Sequence, residues 1–443
     1  MLERMAFYAL FVVITLYLSR SLGFNDFEAS LISGFFSAGL YFFPIFAGAL
    51  ADKIGYRRML LIAFISLSTG YLLLAALPLL LERRGLVQYG ATTIFMGLEN
   101  RSSRWLVLPV LCLIVFGGAF IKSIISGSVA RETTAENRAR GYSIYYMLVN
   151  IGSFAGKSII DPLRIRMGER AYVYINFFSA VFCIVAFAAI LFAFHSERAV
   201  ATGTSRNAHE TWKGLFKVFT NGRLLTLLLI VTGFWMVQQQ LYATMPKYVI
   251  RMAGETAKPG WIANVNPLVV VLGVNIVTRL MAKRTALVSM LVGMCLIPLS
   301  ALLMASGNLI DGTLFGLHPV SVMLVVGIVF QALAECFISP RYMEYFSLQA
   351  PAGSEAMYLG FSHLDSFLSS ILGFGLSGIL LSKYCPDPAL FTTHEAWAAA
   401  SVHAHYIWFY FAAIGFISAL SLFIFAKITA RRDALHPKDT PNH

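Results

Sequence analysis

Apolar runs of about twenty residues recur about twelve times along the 443 positions of this chain, the length a helix needs to cross a bilayer core. They lie near residues 5–22, 29–51, 59–81, 106–128, 141–160 and 171–194, then 223–248, 260–282, 285–306, 319–346, 357–382 and 405–428, with Gly, Pro, Arg and Asp in the breaks. A span in hydrocarbon has to satisfy its own backbone N–H and C=O groups, so each run reads as a helix. The expectation is an all-α integral membrane protein with the lipid bilayer as its main solvent. Composition supports this, at 58% hydrophobic and only 13% charged residues.

The formal charge of +12 raises nucleic acid as a partner. The Lys and Arg residues, however, fall mainly in short gaps between runs, with no basic stripe interleaved with exposed aromatics, so no nucleic acid is expected. Cys112, Cys183, Cys295, Cys336 and Cys385 lack the close paired spacing of metal sites, and no disulfide framework, metal or cofactor is expected. No nucleophile, base and orienting group stand at a recognisable spacing, and no phosphate-binding glycine loop follows a strand, so an enzyme is not expected.

One long polar stretch divides the runs six and six. The expected layout is an N-terminal six-helix bundle over residues 1–194, a cytoplasmic linker over 195–222, a C-terminal six-helix bundle over 223–430 and a cytoplasmic tail over 431–443. Basic residues lean towards the loops that put both termini in the cytoplasm, which suits the plasma (inner) membrane. The first run reads as a span, not a cleavable signal peptide. Within the linker, Trp212, Leu215, Phe216 and Phe219 share one helical face and suggest a short helix at the inner interface. Asn100-Arg101-Ser102 has glycosylation spacing in the loop over residues 82–105.

Charges inside apolar runs are the best lead to function. Lys122 and Glu335 each stand in such a run, where a lone charge costs roughly 2.5–3.5 kcal/mol on insertion scales and so faces a partner, water or a substrate. Glu3 and Arg4 open the first run, pointing about 100° apart on a helix. His363 and Asp365 stand in the eleventh, facing nearly opposite sides, with His363 favoured as a titrating group for its ordinary value near neutrality.

The loop Gly48-Ala-Leu-Ala-Asp52-Lys53-Ile-Gly55-Tyr-Arg57-Arg58 resembles the signature of the major facilitator superfamily, in which two six-helix bundles rock about a site near the midplane. Further segments narrow the resemblance to the proton-coupled oligopeptide transporter (peptide transporter) family. Glu3-Arg4-Met-Ala-Phe7-Tyr8 is similar to its first-helix stretch, Tyr41 to its second-helix tyrosine, and Gly117-Gly118-Ala-Phe-Ile-Lys122 to its fourth-helix lysine segment. Tyr145-Tyr-Met-Leu-Val-Asn150-Ile-Gly152-Ser153, Phe234-Trp235 with Gln239-Gln240, Asn266-Pro267-Leu-Val-Val and Glu335-Cys-Phe-Ile-Ser339-Pro340 are similar to its fifth, seventh, eighth and tenth helices.

That resemblance implies a secondary active transporter that takes up di- or tripeptides, or peptide-like small molecules, together with protons, functional as a monomer. It implies Tyr8, Tyr41, Lys122, Asn150, Asn266 and Glu335 as substrate contacts, and Glu3 and Arg4 as the proton-coupling pair, to which His363 adds a candidate. It also implies Asp52, Arg57, Arg58, Lys122 and Glu335 as gating residues. Two departures stand out: Phe11 occupies the place of a second first-helix arginine, and Gln239 that of a seventh-helix acid. Losing both members of a pair can be nearly neutral, where losing one strands a charge. They leave open a carrier or exporter of another small organic anion or drug, uncoupled from protons through the usual residues, and a non-transporting membrane sensor.

Overall fold

A computed structural model of the chain describes residues 1–47, 54–90, 93–98, 101–132, 138–193, 220–350 and 355–435, apart from some side chains, that of Lys122 among them. The expected helix over Trp212–Phe219 and the glycosylation site at Asn100 lie outside these residues. The principal helices are α1 (Leu2–Phe11), α2 (Asp26–Phe42), α3 (Tyr56–Arg83), α4 (Val107–Glu132), α5 (Arg138–Met167) and α6 (Ala171–Ala193). They continue with α7 (Gly222–Gln238), α8 (Val265–Leu280), α9 (Ala286–Ser306), α10 (Pro319–Leu348), α11 (Leu364–Tyr384) and α12 (Tyr406–Leu435).

Ten helical stretches are long and apolar enough to cross a bilayer, or eleven with the bent first pair counted as one span. One stretch, Met147–Phe192, holds both α5 and α6 around the turn Gly168–Arg170, which brings the spans among the described residues to the expected twelve. The first span departs from a simple helix. It bends by 49° between Leu2–Phe11 and Ile14–Ser21 and passes through a π-helical turn at Tyr17–Ser21. Carbonyls along this irregular stretch find side-chain donors: the Tyr89 hydroxyl donates to Ser21 O at 2.6 Å.

The chain forms two compact units. Unit 1 comprises Met1–Ala208 with Leu241–Asn264 and Phe374–Ile379; unit 2 comprises His209–Gln240, Val265–Gly373 and Leu380–His443. In unit 1, α1 lies close against α5, because a Cβ at Gly152 would meet Met1 O at 2.5 Å and one at Gly156 would collide with Met5 O. Small residues permit such backbone approach in membrane bundles. The Met245–Ala253 and Pro259–Ala263 helices also belong to this unit, although they follow α7 in sequence.

Unit 2 shows how one helix divides its faces. Along α8, Leu268, Leu272, Ile276 and Leu280 recur every four residues and are exposed, the stripe that acyl chains cover. Val270 and Val277 on the other face pack with Ala332 and Cys336 of α10. Gln331, one turn before Glu335 on α10, donates to Val237 O at 2.9 Å and fixes α7 to α10 at the level where the polar residues gather.

Candidate functional site

The polar centre of unit 2 is a carboxylate held by amides. Glu335 is half-buried on α10, and its Oε2 accepts from Gln238 Nε2 at 2.7 Å and from Asn266 Nδ2 at 3.1 Å. Three helices thus converge on one acid, and the two amides orient its carboxylate. Gln239, the C-cap of α7, points to α11 instead. Its amide nitrogen donates to Ser369 Oγ and Ser370 Oγ at 3.0 Å each and to Ser366 O at 3.4 Å. The position that resemblance assigns to an acid is therefore occupied by an amide with its own serine ladder.

The same corner holds His363 and Asp365. His363 is half-buried at the break between the Glu355–Ser362 helix and α11. Asp365 is 2% exposed. It accepts from the Ser366 backbone N–H and faces the side chains of Ser366, Tyr342 and Trp235.

In unit 1, Glu3 and Arg4 curl together despite their helical offset. Arg4 Nε and NH2 meet the two carboxylate oxygens at 2.5 and 2.6 Å, with the guanidinium 5.0 Å from the Phe7 ring centre. Tyr8, Tyr41 and Asn150 are each half-buried, on α1, α2 and α5. Phe11 takes the vacant arginine position in an aromatic cluster, 5.0 Å from Phe7 and 4.6 Å from Tyr242. Lys157, two turns beyond Asn150 on α5, lies 5.1 Å over the Tyr8 ring and 5.4 Å over the Tyr242 ring while 1% exposed. Its Nζ also donates to Ala263 O at 3.3 Å.

Arg57 donates to Leu191 O at 2.8 Å, and Arg58 is exposed. Asp52 and the side chain of Lys122 lie outside the described residues, so the loop latch and the lysine–glutamate pair expected from sequence have no geometry to report.

Sequence reasoning missed a charged cluster in unit 1. Asp26, at the start of α2, receives Lys247 Nζ at 2.8 Å and Arg251 through two bonds of 2.8 and 2.9 Å, all three side chains being buried. Beside it, Arg20 bridges Glu169 at 3.0 Å and Glu255 at 2.6 Å, while Arg164 reaches Glu255 at 3.1 Å and the Ala257 carbonyl. Asp161 accepts from Trp261 N–H at 2.8 Å. These bonds tie Leu241–Asn264 into unit 1. Their partners are up to 235 residues apart in sequence, and the charges sit at span ends where they read as ordinary loop charges.

The sequence profile of the Major Facilitator Superfamily matches residues 1–317. The chain belongs to the Major Facilitator Superfamily. This superfamily member is 23% identical over 403 residues to the multidrug resistance protein MdtH of Cronobacter sakazakii (strain ATCC BAA-894), covering 91% of this chain and 89% of that protein. It is 27% identical over 156 residues to dipeptide and tripeptide permease A of Yersinia pestis, a stretch covering 34% of this chain and 26% of the permease. Among solved structures, a POT family transporter in complex with 5-aminolevulinic acid superposes with a TM-score of 0.73 at 15% identity, over 97% of this chain and 94% of that one. The fold is that of a membrane transporter, and the helices account for it span by span.

Proposed function

We propose that this chain is a secondary active transporter working by alternating access, which takes up di- or tripeptides or peptide-like small molecules with protons. The observation that carries the reading is Glu335, a carboxylate in a largely apolar helix presented by neutral amides. An ammonium group is the natural partner for such an acid, and peptides and 5-aminolevulinic acid both carry one. The substrate contacts are Tyr8, Tyr41, Lys122, Asn150, Asn266 and Glu335. Glu3, Arg4 and His363 serve proton coupling, and Asp52, Arg57, Arg58, Lys122 and Glu335 serve gating. The domain layout is residues 1–194, 195–222, 223–430 and 431–443, with both termini cytoplasmic, the protein in the plasma (inner) membrane and the monomer as the working unit.

The solved relative binds an amino acid whose ammonium and carboxylate mimic the ends of a peptide, which supports the same substrate class here. Purified protein in liposomes, given labelled alanyl-alanine and an inward proton gradient, should accumulate the label. Glu335→Gln and Lys122→Ala should each abolish it, and unchanged uptake in both would remove these residues from the site.

A second reading has an observation of its own. A groove of about 790 Å³ between α2 and α4 is lined almost wholly by apolar side chains, among them Phe35, Phe43, Trp105 and Phe116, and the relative aligned along most of its length is a multidrug resistance protein. Efflux of a hydrophobic cationic dye from loaded liposomes, with no response to dipeptide, would favour export of drugs over uptake of peptides.

A further inference from the structure

Asp365 is the buried acid of unit 2 that the transport reading above leaves without a task. Its neighbours are specific. The Ser366 N–H and hydroxyl come from its own helix, the Tyr342 hydroxyl from α10 and the Trp235 indole from α7. The titratable group facing it from α10 is Tyr342, the Trp235 indole faces it from α7, and His363, the N-cap of α11, lies two residues before it. No ion pair to Asp365 occurs among the described residues. A carboxyl group with neutral donors and no counter-cation is one whose protonation state its surroundings leave adjustable.

Tyr342 makes that adjustment mechanical. Its hydroxyl has one proton and two acceptors within reach: the Asp365 carboxyl group and Ser362 O at 3.2 Å. When Asp365 is ionised, the tyrosine hydroxyl donates its hydrogen bond to the carboxylate and Ser362 O loses its donor. When Asp365 takes up a proton, its O–H donates to the tyrosine oxygen and the tyrosine proton returns to Ser362 O. Ser362 ends the short helix that precedes α11, so the choice is made at a helix break. Chains of hydroxyls and carboxyls with two such arrangements are the elements that convert a local charge change into a backbone shift.

The same two helices reach Glu335. On α7, Trp235 and Gln238 are three residues apart, one serving each acid; on α10, Glu335 and Tyr342 are seven apart, two turns along one face. We propose that Asp365 is a proton-binding site of this transporter, exchanging one proton with water while Tyr342 switches between Asp365 and Ser362, and that α7 and α10 relay its state to Glu335. This deepens the uptake reading and rests on it for the word transport.

The test uses the full chain reconstituted in liposomes, with two readouts. Infrared difference spectra across a pH titration should contain a protonated-carboxyl C=O band that Asp365→Asn removes. Tyr342→Phe should move the pH at which this band vanishes by about one unit, the effect of one hydrogen bond to a charged group. In uptake of labelled alanyl-alanine, Asp365→Asn should bring gradient-driven accumulation down to the level without a gradient, while exchange of labelled for unlabelled dipeptide stays measurable. A band and an accumulation both unchanged in Asp365→Asn would overturn the proposal and leave peptide transport standing. A band that titrates through Asp365 in a protein with no dipeptide flux would support the proton site and remove the uptake reading. If Asp365→Asn does not fold, an unmoved band in Tyr342→Phe overturns the proposal.

Discussion

Asp26 in unit 1 and Asp365 in unit 2 are buried acids handled in opposite ways. In unit 1, Asp26 is clamped by Lys247 and Arg251, and Glu169 by Arg20, so each acid meets a cation. In unit 2, Asp365 accepts the Ser366 peptide N–H and faces the Ser366, Tyr342 and Trp235 side chains, with no ion pair to it among the described residues. The first arrangement is bistable only as a whole, since opening it exposes every charge at once. The second leaves Asp365 able to exchange a proton without breaking an ion pair. Matched pairs therefore suit a latch, and neutral cradles suit a binding site.

Removing single members tests that contrast. Asp26→Asn should have the largest effect, because it strands Lys247 and Arg251 in a buried setting; about 3–5 kcal/mol of stability should go, read as a lowered thermal midpoint in detergent. The double variant Asp26→Asn with Lys247→Met should recover part of it, and no recovery would argue against ion pairing as the cause. Gln238→Leu comes next. It deletes the 2.7 Å donor to Glu335, a hydrogen bond to a charged group worth about 1.5–3 kcal/mol, and should weaken dipeptide uptake more than it lowers the midpoint.

Smaller effects sharpen the boundary of the cluster. Glu255 is 65% exposed in its side chain, so Glu255→Gln should cost only about 0.2–1 kcal/mol, and less as salt is raised. A loss as large as that of Asp26→Asn would mean that the outer pairs carry the latch. The smallest effect belongs to His318, the N-cap of α10, whose ring nitrogen accepts Val320 N–H at 3.3 Å. Burial lowers its pKa, so the neutral cap is complete above the ordinary value of about 6.5 and is lost as pH falls towards the lowered one. His318→Asn keeps a capping acceptor and should flatten that slight acid-side loss in a pH series of thermal midpoints.

Much of this was legible in the residues. Span number and helix positions followed from apolar length, because hydrocarbon forces every backbone group to pair locally. Glu335 stood out as a charge in an apolar run and Asn266 through the resemblance of its eighth-helix segment, and they share one hydrogen bond. The bend after Phe11 was not legible: Val12 and Val13 carry no helix breaker, and tertiary donors decide the π turn that follows. Nor was the cluster around Asp26, whose partners lie more than 200 residues away and are joined by folding alone. His363 stood ahead of Asp365 in the sequence for its ordinary titration range; folding encloses Asp365 on α11 and leaves His363 half-buried at the break.

The central claim is that the amide-held acid of unit 2 works on substrate and contributes little to the fold. The most direct measurement is dipeptide uptake and thermal midpoint on one preparation of Glu335→Gln beside the wild type. Uptake lost with the midpoint within about 1 °C is the predicted result, since the side chain is only half-buried and a glutamine carbonyl can still accept from Gln238 and Asn266. Uptake retained, or a midpoint that falls as far as that of Asp26→Asn, would contradict it.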